Sequence, residues 1–154
     1  MFNKRQLIRF FKLLFIVLWM ILIFLFSSDN SNKSSSKSDQ LIINFNKVVL
    51  RNDLSKKEEK KLVDKYSFLV RKTAHFTLYF ILGFLVILYI LEYIPISFKS
   101  LLIVIIIVFL YAVSDEVHQL FVSGRSCEIR DIFIDTLGGM LYPILYFRIK
   151  RNRL

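Results

Sequence analysis

The chain has 154 residues, 55% of them hydrophobic, with 16 Phe but only 4 Gly and 2 Pro. So little turn material excludes a turn-rich β fold, and a soluble domain of this length cannot hide several dense apolar runs. The net charge of +10 would suit nucleic acid in a soluble protein. Here the basic residues flank the apolar runs, where they meet lipid headgroups and set orientation, so membrane lipids and no nucleic acid are the expected partners. Composition therefore predicts an all-α, polytopic membrane protein forming one domain over residues 1–154. The lone Cys127 excludes an intramolecular disulfide and any multi-cysteine metal site. Richness in Lys, Ile, Asn and Phe suggests an AT-rich bacterial genome.

Four runs can cross a bilayer. The first, residues 10–26, follows a basic N-terminal stretch and is near the lower length limit for a span. No small-residue cleavage site follows it, so it is expected to remain as an anchor. Residues 27–38, rich in Ser, Asn and Lys, read as a solvated, flexible loop. Leu41, Ile42, Phe45, Val48 and Val49 then recur at helical spacing, which predicts a short amphipathic helix on the membrane surface. Ser55 and Glu58 match a capping box for a further helix, so 39–72 reads as a helical surface loop. The alternative for this loop is a soluble helical hairpin standing above the membrane. The remaining spans are 74–94, ended by Pro95, then 98–114 and 132–147.

Four crossings put both termini on one side, and the loops 27–73 and 115–131 on the other. The terminal side carries nine basic residues, Arg153 among them, and the other side thirteen, so a raw positive-inside count favours the opposite orientation. The first helix usually dominates, however, and its N-terminal flank is the more basic one, which predicts cytoplasmic termini.

The topology gathers a polar constellation at the other face. Lys72 and His75 begin the second span, and Arg71, His75 and Tyr79 share one helical stripe. Asp115, Glu116 and His118 end the third span, with Gln119 one turn beyond Asp115. Arg125 follows in the loop, and Asp131 and Asp135 open the fourth span one turn apart. Asp135 lies inside an apolar segment, so it should face the bundle interior and find a polar partner. Gly138 and Gly139 allow a neighbouring helix to approach closely.

These residues also carry a resemblance. KxxHFxxY from Lys72 to Tyr79, SDExHQxF from Ser114 to Phe121, Gly124–Arg125, and DxxxDTLGG from Asp131 to Gly139 are similar to the VanZ-like family, over roughly residues 10–147. That family is named for an accessory protein of teicoplanin resistance in Gram-positive bacteria. The paired serines ending the first span also look like the family. Two positions depart from its pattern: Asp135 stands where Asn is more common, and Asp29 where many relatives have Gln. The first adds a carboxylate to the site. The resemblance implies a multi-pass protein of the bacterial cell membrane, connected with teicoplanin-type susceptibility.

Two functions remain open. In the first, the site binds or processes a lipid-linked or phosphate-bearing envelope precursor. His75, Asp115, Glu116 and Asp131 are then the catalytic candidates, with His75 as general acid or base beside Asp115 or Glu116. Lys72, Tyr79, Gln119, Arg125 and Asp135 are the ligand-binding candidates, with Lys72 and Arg125 holding phosphate. Asp131 and Asp135 offer oxygen donors for a divalent cation, although no metal-ligand or cofactor motif is identified. In the second, the charges form a structural ion-pair network in a non-enzymatic protein, with Arg125 paired to Asp131 or Asp115. Orientation is open to a direct test through Cys127, since a membrane-impermeant thiol reagent should label it in intact cells. Labelling only after permeabilisation, with a Lys150→Cys site labelled in intact cells, inverts the assignment.

Overall fold

In the computed structural model, which describes residues 3–51 and 54–152, five helices follow one another: α1 Lys4–Ser27, α2 Ser31–Val49, α3 Lys56–Ile90, α4 Phe98–Gln119 and α5 Ile129–Arg151. Among the described residues there is no strand. Arg153, counted above among the basic flank, lies outside them. Helices α1, α3, α4 and α5 are long and apolar enough to cross a membrane. Large apolar side chains point outward along them, among them Phe10, Leu25, Leu110, Phe133 and Leu137, as a lipid-facing surface requires.

Helix starts are chemically defined. Asn3 and Gln6 form a reciprocal capping box on α1, Ser55 and Glu58 do so on α3, and Ser97 and Ser100 on α4. Each satisfies backbone donors that a helix N-terminus leaves unpaired.

The Ser-rich stretch departs from the sequence reading. From Ser31 onward it is helical, not a flexible loop, and it runs without a break into the amphipathic segment. Asn30 caps it by accepting from the Lys33 backbone N–H at 2.9 Å. Ser38, Ile42 and Asn46, spaced four apart, are its buried residues. Ser67 donates to Asp39 at 2.9 Å and Arg71 to Ser35 at 3.3 Å, which docks α2 antiparallel on α3. Tertiary packing thus overrides the weak helix propensity of Ser and Asn.

Helix α3 is longer than the span assigned to it. Its 35 residues reach roughly 50 Å at about 1.5 Å per residue, against a hydrocarbon layer of about 30 Å. Its N-terminal part therefore projects beyond the bilayer and forms, with α2, a hairpin on the bundle. The helix stops at Ile90, and Leu91 to Tyr93 make a turn before Pro95. In that turn Glu92 pairs with Lys12, and its carbonyl accepts from Arg9 at 2.6 Å. Helix α4 runs five residues past the expected end at 114, and α5 extends the fourth span at both ends.

The core centres on Ile23, Tyr79, Leu82, Ile87, Val104, Val108 and Ala112. Trp19 donates to the Leu78 carbonyl at 2.9 Å, and Tyr111 to the Met20 carbonyl at 2.6 Å, tying α1 to α3 and α4. The tightest crossing joins α3 and α5. A Cβ on Gly83 would lie 1.8 Å from the Gly139 carbonyl oxygen, and one on Gly138 would lie 2.4 Å from the Phe76 carbonyl oxygen. Pro143 sits inside α5 and lacks the N–H that would bond the Gly139 carbonyl. That oxygen instead lies against the bare Cα of Gly83, as Cα–H···O contacts between helices require.

Gly83→Leu should force α3 and α5 apart and lower stability by about 2 kcal/mol or more, in line with overpacked cores. Leu137→Ala, at a residue 58% exposed, should leave thermal unfolding in detergent nearly unchanged. Equal melting temperatures for the two variants would show that the crossing is not tight.

Candidate functional site

The α3–α5 crossing fixes the site's register. Along α3, Lys72, His75, Tyr79 and Gly83 succeed one another at three- and four-residue spacing, and Asp131, Asp135 and Gly139 follow at four-residue spacing along α5. Two matched pairs result, Lys72 with Asp131 and His75 with Asp135.

At the rim, the Lys72 ammonium contacts both oxygens of Asp131, with Glu128 at 4.0 Å. This corrects the expected pairing of Arg125 with Asp131 or Asp115. Arg125 instead donates from Nε to the Asp29 carbonyl at 3.2 Å and from Nη1 to Gln119 Oε1 at 3.2 Å. It thereby clamps the α4–α5 loop to the end of α1. Gly124, at φ 74°, supplies the turn that positions it, a conformation glycine adopts without strain. Asp29 accepts from Lys33 and Lys37, and those hydrogen bonds hold its carboxyl below the usual carboxylate range.

One turn deeper, His75, Asp115 and Asp135 converge, each from a different helix, with donor atoms within 4.8 Å of one another. His75 Nδ1 stands 3.6 Å from Asp135 Oδ2, and Ser27 Oγ donates to Asp115 Oδ2 at 2.7 Å. Asp135 is fully buried and Asp115 nearly so. The Tyr79 ring is buried beside them, its hydroxyl without a hydrogen-bond partner among the described residues. Glu116 stands apart: its Oε2 accepts the Glu128 backbone N–H at 2.9 Å, which joins the end of α4 to the start of α5.

The sequence-predicted residues thus divide into three groups. His75, Asp115 and Asp135 form the centre, with Tyr79 and Gln119 beside it; Lys72 and Asp131 close a rim pair; Glu116 and Arg125 hold loops. The oxygen donors that converge are not Asp131 with Asp135, because Lys72 occupies Asp131. Sequence reasoning noted Ser27, whose hydroxyl orients Asp115, only as one of the paired serines ending the first span, and gave no site role to it, to the Asp29 carbonyl or to Gly83. Ser27 was within reach as the first polar residue after an apolar span, on the side where the other charges gather. Nothing in the local sequence marks Gly83 as a partner of Gly139.

Beside the centre a groove of about 630 Å³ opens between α1, α2 and α3. Its lining is mostly apolar, with Phe26, Leu41, Leu69 and Leu78, and includes the polar Asp29, Lys37, Arg71 and His75. Leu41 and Val70 also line a second, more apolar groove of about 700 Å³ between α2 and the projecting part of α3.

Four spanning helices around a buried His–Asp–Asp cluster define a polytopic, all-α membrane protein with a polar site near one end of the bundle. The VanZ/LLP1 family model matches residues 11–150, and the chain belongs to that family. Neither a curated protein nor a solved structure gives a significant match.

The rim pair is open to a double-mutant cycle. Lys72 and Asp131 have side chains 18% and 16% exposed, so Lys72→Met and Asp131→Asn should couple by about 1–2 kcal/mol in unfolding. The same cycle on Lys33 and Asp29 should show much weaker coupling, because Lys33 is 64% exposed. Additive losses at Lys72 and Asp131 would mean that each is solvated by itself.

Proposed function

We propose that the protein binds an envelope lipid with a phosphate-bearing headgroup at the extracytoplasmic face of a bacterial cell membrane. The observation that supports this reading is the groove between α1, α2 and α3, mostly apolar but with Arg71 and His75 in its lining; Lys37, also in the lining, is held by Asp29. An amphiphile uses both kinds of lining. Its chain gains by covering Phe26, Leu41, Leu69 and Leu78, and its headgroup meets cationic donors, with arginine offering a bidentate fork to phosphate. Arg71 spends one nitrogen on Ser35 and keeps others for a ligand. Arg125 and Lys72, expected from sequence to hold phosphate, are already engaged by Gln119 and Asp131. The lead therefore passes to Arg71.

His75 lines the groove and faces Asp135, an arrangement suited to moving a proton to or from a bound headgroup. Processing of a lipid-linked precursor would use that arrangement. The family name supports an effect on teicoplanin-type glycopeptides, whose lipophilic tail brings them to this face. A second reading, a non-enzymatic protein with a structural ion-pair network, draws support from the closed pairs Lys72–Asp131 and Asp29–Lys33.

Native mass spectrometry of the protein in mild detergent should show a retained phospholipid or an added undecaprenyl phosphate. Arg71→Ala should weaken retention about tenfold, matching the loss of one charge-assisted hydrogen-bond pair at roughly 1.4 kcal/mol. Arg148→Ala, on the opposite end of the bundle, should not. Chemical conversion of the added lipid that His75→Ala abolishes would establish processing; binding without conversion leaves a binding protein. Retention indifferent to Arg71 would leave the structural network as the better account.

A further inference from the structure

We infer that His75 Nδ1 and the carboxylates of Asp115 and Asp135 hold a first-row divalent transition-metal ion at the junction of α3, α4 and α5. The inference is independent of lipid binding, and either can fail without the other.

Geometry is the first reason. The separation of 3.6 Å between His75 Nδ1 and Asp135 Oδ2 exceeds the range of about 2.7–3.2 Å for an N–H···O hydrogen bond. Two ligands each about 2.1 Å from one tetrahedral ion are roughly 3.4 Å apart. The observed spacing is therefore that of neighbours around an ion. All three donors fall within 4.8 Å of one another.

Unsatisfied polarity is the second, and for Asp115 Oδ1 and Asp135 Oδ1 it adds to the spacing argument. His75 Nδ1, Asp115 Oδ1 and both oxygens of Asp135 are buried with no hydrogen-bond partner among the described residues. Asp135 is 0% exposed and Asp115 2%. Buried polar atoms are nearly always paired, and four orphans converging on one point call for a common partner. The surrounding cations do not serve: Lys72 is taken by Asp131, and Arg125 by Gln119 and the Asp29 carbonyl. A dipositive ion neutralises two carboxylates at once, where leaving them unpaired in the bilayer is costly.

The surroundings fit a metal centre. Ser27 donates to Asp115 Oδ2 and leaves Oδ1 free, as partners behind a ligating carboxylate do. Three separate helices each contribute one ligand, which holds the donors rigidly. His75 also borders the groove, which gives the ion an entry path and a coordination position open to water or a ligand oxygen. One imidazole nitrogen with carboxylate oxygens favours zinc, manganese or iron over magnesium, which is reluctant to take nitrogen.

The test uses full-length protein, purified without an affinity tag or chelator, with metal content measured by plasma mass spectrometry. The expected result is one transition-metal ion per chain, a lower melting temperature after chelation, and recovery with Zn²⁺ but not with Mg²⁺. His75→Ala and Asp135→Asn should lose stoichiometric binding, and Ser27→Ala should weaken Zn²⁺ affinity about tenfold. A wild-type protein that carries no ion, and whose melting temperature ignores both chelator and Zn²⁺, overturns the proposal. So does an ion retained by both ligand variants. Should those variants fail to fold, the wild-type measurements decide alone. Lipid retention is read separately, so a metal-free protein that still binds lipid defeats this inference and spares the other.

Discussion

The close crossing of α3 and α5 is the contact on which the rest of the molecule depends. With no side chain on Gly83 or Gly139, the two backbones meet directly, and little register slip is possible. Going from that crossing toward the hairpin, Phe76 and Gly138, then His75 and Asp135, then Lys72 and Asp131 come opposite each other. Helices in lipid gain little from hydrophobic burial against one another, so intimate packing and interhelical polar contacts must supply their association. Here both do, along one seam.

Polar groups within an apolar medium are either closed into pairs or left open, and the molecule contains both kinds. Lys12 and Glu92 close one end of the bundle, and Lys72 and Asp131 the rim at the other. Trp19 and Tyr111 spend their polar atoms on main-chain carbonyls, as buried aromatic donors generally do. Against this thrift, the unpaired oxygens of Asp115 and Asp135 stand out. Polar groups inside a membrane are usually retained for function.

The α2–α3 hairpin gives the cluster its surroundings. Because α3 is long enough to outrun the bilayer, its N-terminal half can carry α2, and the space between α1, α2 and α3 becomes a mostly apolar groove with polar residues in its lining. A short surface helix lying flat on the membrane, as the apolar spacing of Leu41 to Val49 suggested, would not enclose such a space. In the structure α2 and the N-terminal half of α3 pack on one another as a hairpin.

Sequence alone determined the fold class and the number of crossings, because an apolar run of span length has one low-energy fate in a membrane and its composition is local information. It also determined that the charged motifs share one face, since an even number of crossings leaves no other arrangement. Ser55 with Glu58 announced the start of α3 for the same reason: a capping box is complete within four residues. Partners were another matter. Lys72 with Asp131, Arg125 with the Asp29 carbonyl, Ser27 with Asp115, and the helix that replaces the expected Ser-rich loop each depend on a segment far away in the chain. Which cation meets which carboxylate follows from helix rotation and register, and these are set where Gly83 meets Gly139. Only the tertiary structure decides that contact, because glycine carries no side chain whose pattern could have revealed its partner.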